Sequence, residues 1–267
     1  MTPAPCKPLP LQSPIDLGLA LPISMAFPPS ALSIAWSGDM SGSIKRNTHC
    51  DFEFRNTHCD FEFVFNKPTG TMTVQLPGQA HATPFSLLKL HFHANGEHLI
   101  NGDASPLELH IVHTTKEPDP FSSTGQQRNI YAVLGVMVVG GGPEGKSDKA
   151  LRKLIEGIKE AGLAEFTAAN RSSPVEQTMD PNHLVPFDST TPLTSQPLWR
   201  YEGSLTSDRE KPNDGYVSWV VMQPTLQVTD GTINEWKKLK LIHQPKAPQP
   251  IDRRFVFFNP GATPCGT

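Results

Sequence analysis

No apolar run in this chain approaches the roughly 20 residues that a membrane-spanning helix needs, so no such span is expected. Clusters of Lys and Arg are missing too, and the formal net charge is −3. That balance argues against a nucleic-acid footprint. Cysteine is scarce: Cys6, Cys50, Cys59 and Cys265 are the only four, and none forms a Cys-x-x-Cys metal pattern. The glycine run Gly140-Gly141-Gly142-Pro143 lacks both Gly-x-Gly-x-x-Gly and a Lys-Ser/Thr ending, which excludes a phosphate loop. Met1 to Cys6 shows neither the basic nor the apolar region of a signal peptide. Proline, by contrast, is abundant: 27 of 267 residues, about twice the usual ~5%. Helices should therefore be few and connections stiff. With 37% hydrophobic and 18% charged residues, the chain suits a globular protein with a substantial core.

Periodicity fills in the architecture. Leu32 to Trp36 alternates as a strand, and Phe61 to Phe65 and Thr71 to Gln75 are strands joined by a Lys67-Pro68-Thr69-Gly70 turn. Ile130 to Val139 is nearly all apolar, which predicts a central strand, and Tyr216 to Met222 predicts another. Ser147 is a candidate cap for a helix whose apolar stripe is Leu151, Leu154, Ile155 and Ile158, ended by Gly162. Asn182 to Pro197 is read as loop, and Ile233, Trp236 and Leu239 mark a short helix. The expected class is mostly β (α+β), as a single domain over residues 1–267. It has an extended segment at 1–11 and a tail at 259–267. Within it, Arg46-Asn47-Thr48-His49-Cys50-Asp51-Phe52-Glu53-Phe54 recurs unchanged as residues 55–63. The period is too short for a repeat fold, which takes ~20 residues or more per unit. One copy must occupy a strand while the other bulges out, or the two compete for register.

The chemistry concentrates between Leu88 and His113. His91 and His93, two apart in an apolar alternation, share one strand face, with Leu90 and Phe92 on the other. Asn101-Gly102 marks a turn, and on the returning strand Glu108 and His110 again share a face. Folding this hairpin brings His110 toward the His91/His93 pair. Three imidazoles with a carboxylate nearby suit a catalytic zinc ion that keeps one position for water. His91, His93 and Glu97 also suit a cupin-type site, and single strand histidines are often merely hydrogen-bonded.

Leu90-His91-Phe92-His93, Gly96-Glu97-His98-Leu99-Ile100-Asn101-Gly102 and Pro106-Leu107-Glu108-Leu109-His110-Ile111-Val112-His113 closely resemble the metal-binding core of α-class carbonic anhydrases. Further similarities follow in the family's order. Gln12-Ser13-Pro14-Ile15-Asp16 is similar to its N-terminal signature, Ala132-Val133-Leu134-Gly135-Val136 to a core strand, and Tyr201-Glu202-Gly203-Ser204-Leu205-Thr206 to its active-site loop. Gln244-Pro245 and Gln249-Pro250 before Arg253 resemble its closing segment.

The resemblance implies a large central, mainly antiparallel twisted sheet with a few surface helices. It implies Zn²⁺ on His91, His93 and His110, and reversible hydration of CO₂ to bicarbonate and a proton by zinc-bound hydroxide. Thr206 would orient the hydroxide and donate to Glu97, and Glu108 would accept from His110. Val112, Val133, Leu205, Val217 and Trp219 would form the apolar CO₂ wall, with Ser207 keeping a hydroxyl beside them. His49 and His58 are the candidate proton shuttles, His58 being favoured because its copy leads into the metal hairpin; either is equally readable as an exposed turn histidine. Sulfonamide-type or anion inhibitors are the expected small-molecule partners. A secreted, periplasmic or organellar setting is expected, with a targeting segment outside this sequence. The implied disulfide partner for Cys6 is missing, since Ser207 to Trp219 holds no cysteine.

Two departures stand out. Where relatives carry Gln two residues before the first metal His, this chain has Lys89, an ammonium with three donors and no acceptor. Where relatives continue Thr-Pro-Pro after the gatekeeper, it has Ser207-Asp208-Arg209-Glu210-Lys211-Pro212. These leave open a second reading, a zinc-binding protein on the same fold with little or no turnover.

Overall fold

The computed structural model describes residues 11–46, 61–67, 70–118, 127–162, 175–188, 190–206, 216–239, 245–252 and 254–261. In chain order its strands begin with β1 (Ile23–Ser24), β2 (Leu32–Ala35), β3 (Met40–Arg46), β4 (Phe61–Phe65) and β5 (Thr71–Val74). They continue with β6 (Thr83–Ala94), β7 (Leu99–Ile100), β8 (Asp103–Ala104), β9 (Leu107–Pro118) and β10 (Gln127–Val139). After helix α1 (Lys146–Glu160) come β11 (Val175–Met179), β12 (Leu198–Ser204), β13 (Tyr216–Met222) and β14 (Leu226–Gln227). Helix α2 (Asp230–Lys238) and β15 (Val256–Asn259) complete the set.

Thirteen strands form one sheet in the order β1-β15-β12-β13-β10-β9-β6-β4-β3-β11, with β14 beside β10 and with β2 and β5 attached through β6. The pairings β1–β15, β10–β13 and β10–β14 are parallel and the others antiparallel. The sheet is therefore mixed, and mainly antiparallel as expected.

Both faces of its middle are covered, which explains why β10 and β13 read as continuous apolar runs. Ile130, Ala132, Leu134, Val136 and Val138 face the larger core, together with Leu151, Leu154, Ile155 and Ile158 of α1. Val133 and Met137 face a second cluster on the opposite side with Val112, Val217 and Trp219.

One irregularity sets which side chains of β6 face which core. Leu87 pairs with His113 and Lys89 with Val112, so Leu88 is the extra residue of a bulge. Before it, the odd-numbered Phe85 and Leu87 enter the larger core; after it, the even-numbered Leu90 and Phe92 do. The bulge thus turns Lys89, His91 and His93 together onto the opposite face. In the hairpin, Asn101 and Gly102 both have positive φ, 55° and 86°, giving the two-residue turn that joins β7 to β8.

The duplicated segment resolves in favour of its second copy. Phe61-Glu62-Phe63 lies in β4 between β3 and β6, with Arg46 paired to Phe61. The flanking residues explain the choice. Val64 and the buried Phe65 continue this copy's apolar pattern, whereas the first copy runs on into Arg55 and Asn56.

Two local expectations are corrected. Ser147 does not cap α1: its N-cap is Gly145 without a side-chain bond, and Ser147 lies within the first turn. Nearby Asp148 is committed elsewhere, accepting from the Thr229 N–H and hydroxyl at the start of α2. Tyr201 to Ser204, expected as loop, is the end of β12, because β13 pairs with it throughout and β15 reaches Tyr201. The 182–197 stretch is loop with two short 3₁₀ turns, Pro181–Leu184 and Leu193–Ser195.

Candidate metal centre

His91 on β6 and His110 on β9 are directly opposed partners, and His93 follows on the same face. His110 Nδ1 lies 3.2 Å from His93 Nε2 and 3.3 Å from His91 Nε2. In a tetrahedral zinc site with bonds of about 2.0–2.1 Å, neighbouring nitrogens stand about 3.3 Å apart. Both edges that meet at His110 match that spacing, and the three ligand atoms all lie within 4.8 Å of one another, so the group could hold a metal ion. Glu97 belongs to no such group among the described residues, so the cupin-type set of His91, His93 and Glu97 is not assembled.

A buried carboxylate orients this cluster. His110 Nε2–H donates to Glu108 Oε1 at 2.8 Å, which leaves the Nδ1 lone pair facing the other two histidines. His98 Nδ1–H donates to the same oxygen at 2.6 Å, and the N–H groups of Glu97 and His98 bind Oε2 at 2.7 and 2.8 Å. Burial acts to raise the Glu108 pKa, but the His98 and His110 rings that point their N–H groups at it outweigh burial. The carboxyl is held well below the usual range and stays ionised.

This network reaches further than the sequence reading. The Tyr201 hydroxyl bridges His98 Nε2 at 2.6 Å and Ser13 Oγ at 3.1 Å. Ser13 Oγ also accepts from the Ser204 N–H, so the Gln12-Ser13-Pro14 segment is tied to the end of β12. The approach is close: a Cβ on Gly203 would stand 2.2 Å from Ser13 Oγ. His98, Tyr201 and Ser13 each lie inside a motif already noted, but no role was assigned to them. The one usable signal was His98 directly beside Glu97.

The remaining candidates distribute as follows. Glu97 is buried, with Oε1 accepting from the Lys246 N–H at 3.1 Å and Oε2 lying 3.5 Å from His93 Nε2. Thr206 is buried just beyond β12. Val112, Val133, Val217 and Trp219 gather in the second apolar cluster, with Leu205 packed against it. The Trp219 and His110 rings meet in a T-shaped pair, with centroids 4.9 Å apart. Lys89 neither joins the histidines nor hangs in solvent: its Nζ donates to Glu62 Oε2 at 2.5 Å. His49, His58, Ser207 and the four cysteines lie outside the described residues.

One face of the mixed sheet thus carries a histidine triad of the kind that could hold a metal ion, a carboxylate that orients it and an apolar cluster beside it. The model of the eukaryotic-type carbonic anhydrase family matches residues 4–257. The chain belongs to that family. Carbonic anhydrase 1 of Monodelphis domestica is 24% identical over 198 residues, covering 68% of each chain. Dioscorin DB3S of Dioscorea polystachya is 25% identical over 221 residues, covering 81% of this chain and 69% of the dioscorin. The α-carbonic anhydrase of Thermovibrio ammonificans, solved with sulfanilamide, shares the fold at a TM-score of 0.61 and 22% identity, covering 92% of this chain and 86% of that one.

Proposed function

We propose that the protein is a zinc-dependent carbonic anhydrase that interconverts CO₂ and bicarbonate. The observation that carries this reading is the convergence of His91 Nε2 and His93 Nε2 on His110 Nδ1, each at the spacing of a tetrahedron's edge. When bound there, Zn²⁺ lowers the pKa of a water ligand to about 7 and so provides a nucleophile at neutral pH.

The chain's own residues do the rest. Glu108 fixes the His110 tautomer and keeps Nδ1 unprotonated. Thr206 is assigned the orientation of the attacking water, with Glu97 as acceptor for its hydroxyl. Val112, Val133, Leu205, Val217 and Trp219 receive CO₂, which carries no polar handle and needs an apolar surface. His58, or its twin His49, carries the proton to solvent, since an imidazole titrates near the working pH. Sulfonamides are the expected inhibitors of this centre, and the Thermovibrio enzyme was solved in complex with the inhibitor sulfanilamide.

Stopped-flow CO₂ hydration with zinc-loaded protein tests the reading, and a rate no faster than buffer overturns it. In that event the second reading stands, a zinc-binding protein without turnover. It is favoured by the dioscorin relative and by Lys89 in place of a hydrogen-bond acceptor.

A further inference from the structure

The face of the sheet that carries the histidines also carries a row of cross-strand partners running outward. His110 on β9 opposes His91 on β6, His91 opposes Glu62 on β4, and Glu62 opposes Lys45 on β3. Directly opposed residues project to the same face with their Cβ atoms about 5 Å apart. Glu62 is therefore the first side chain beside His91 on that side. Lys89 starts on the same face, two residues before His91, about 7 Å along the strand. Its four-carbon stem is long enough to bring the ammonium over the histidine cluster.

It does not go there. Lys89 Nζ donates to Glu62 Oε2 at 2.5 Å, with side chains only 27% and 10% exposed. Lys45 Nζ stands farther off, 3.7 Å from Oε1 and 42% exposed, so it contributes little. The pair is half-buried, where charges are screened less than at the surface. An unpaired ammonium there would oppose the entry of a dication, whereas a carboxylate–ammonium pair presents no net charge.

We propose that Glu62 is a positioning residue of the metal centre: it draws Lys89 away from His91, His93 and His110 and cancels the ammonium's charge beside them. This rests on the zinc reading above. The role belongs to the second nonapeptide copy alone, because register places Glu62, not its sequence twin Glu53, opposite His91.

The test is zinc affinity, measured by chelator competition on Glu62→Gln, Lys89→Gln and the double variant, with melting of each metal-free form as a control for folding. Glu62→Gln leaves one uncompensated positive charge and weakens zinc binding on the order of tenfold, the size typical of groups that support metal ligands. Lys89→Gln binds zinc as tightly as the parent or more tightly. The double variant, neutral again, returns to within about threefold of the parent, and the Glu62→Gln deficit shrinks in 0.5 M salt, where screening is strong. Unchanged affinity in Glu62→Gln, or a deficit that survives removal of Lys89, overturns the assignment while leaving the zinc reading intact. A parent protein that fails to bind zinc overturns both.

Discussion

The Tyr201 hydroxyl and His98 Nε2 lie 2.6 Å apart although 103 positions separate them in the chain. Through Glu108 that contact reaches His110, and through Ser13 it reaches the N-terminal segment. Burial pushes the Tyr201 phenol up, so it remains protonated as a donor. Tyr201→Phe leaves a buried imidazole nitrogen without its partner. The expected cost is about 1–3 kcal/mol of stability, read from denaturant unfolding. An unaltered midpoint would show that this link carries no weight.

His110→Ala removes one of three converging nitrogens and leaves Glu108 without its bond to that ring. Zinc content and CO₂ hydration rate are both expected to fall to background. Metal analysis on the same sample as the kinetic run checks this, and retained zinc at full stoichiometry contradicts the triad.

Lys89→Gln restores an amide beside His91 and removes the ammonium now held by Glu62. The hydration rate should equal or exceed that of the parent. A marked fall would mean that Lys89 contributes to turnover in a way its bond to Glu62 does not reveal.

His113 gives a prediction for pH. It is fully buried, stacks on Trp36, and accepts from Trp36 Nε1–H through Nε2 at 3.0 Å. Burial lowers its pKa from 6.5 to about 3. Between those values the unfolded chain binds a proton that the folded one refuses, so stability rises with pH. It should be lost as pH drops from about 6.5 toward 3. His113→Phe keeps a ring against Trp36 and should flatten this dependence between pH 4 and 6.5, as followed by thermal melting. A slope equal to the parent's would assign the acid sensitivity to other groups.

Deleting residues 47–55 joins Arg46 to Asn56 and leaves a single intact nonapeptide, which feeds β4 through Phe61, the existing register partner of Arg46. Zinc binding should persist, and the melting point should hold or rise, because a shorter connection between β3 and β4 costs less to close. With His58 retained, the rate should hold too. His58→Ala in that background should cut it by at least about tenfold in weak buffer. If deletion alone slows hydration that much, His49 is the shuttle.

What could be read from the chain in advance was whatever depends on local period. The two-residue spacing of His91 and His93, the Asn101-Gly102 turn and the apolar runs of β10 and β13 each announce their geometry to a near neighbour. Glu62 does not. Its place beside His91 follows from which nonapeptide copy β6 accepts, and Val64 and Phe65 decide that from outside the repeat. The bulge at Leu88 was equally silent, for alternation alone puts Leu87 on the face of His91. The strand character of Tyr201, in a stretch that resembles an active-site loop, is silent too, because β15, one of the two strands that hold it, lies more than fifty residues downstream.

The histidines stand on β6 and β9, each hydrogen-bonded on both sides, and Glu108 already steadies His110. Strand pairing and a carboxylate thus support these side chains, in contrast to the small zinc domains that collapse only around their metal. On the proposed zinc reading, a cell starved of the element would accordingly accumulate finished molecules rather than debris, ready to mature as soon as it returned.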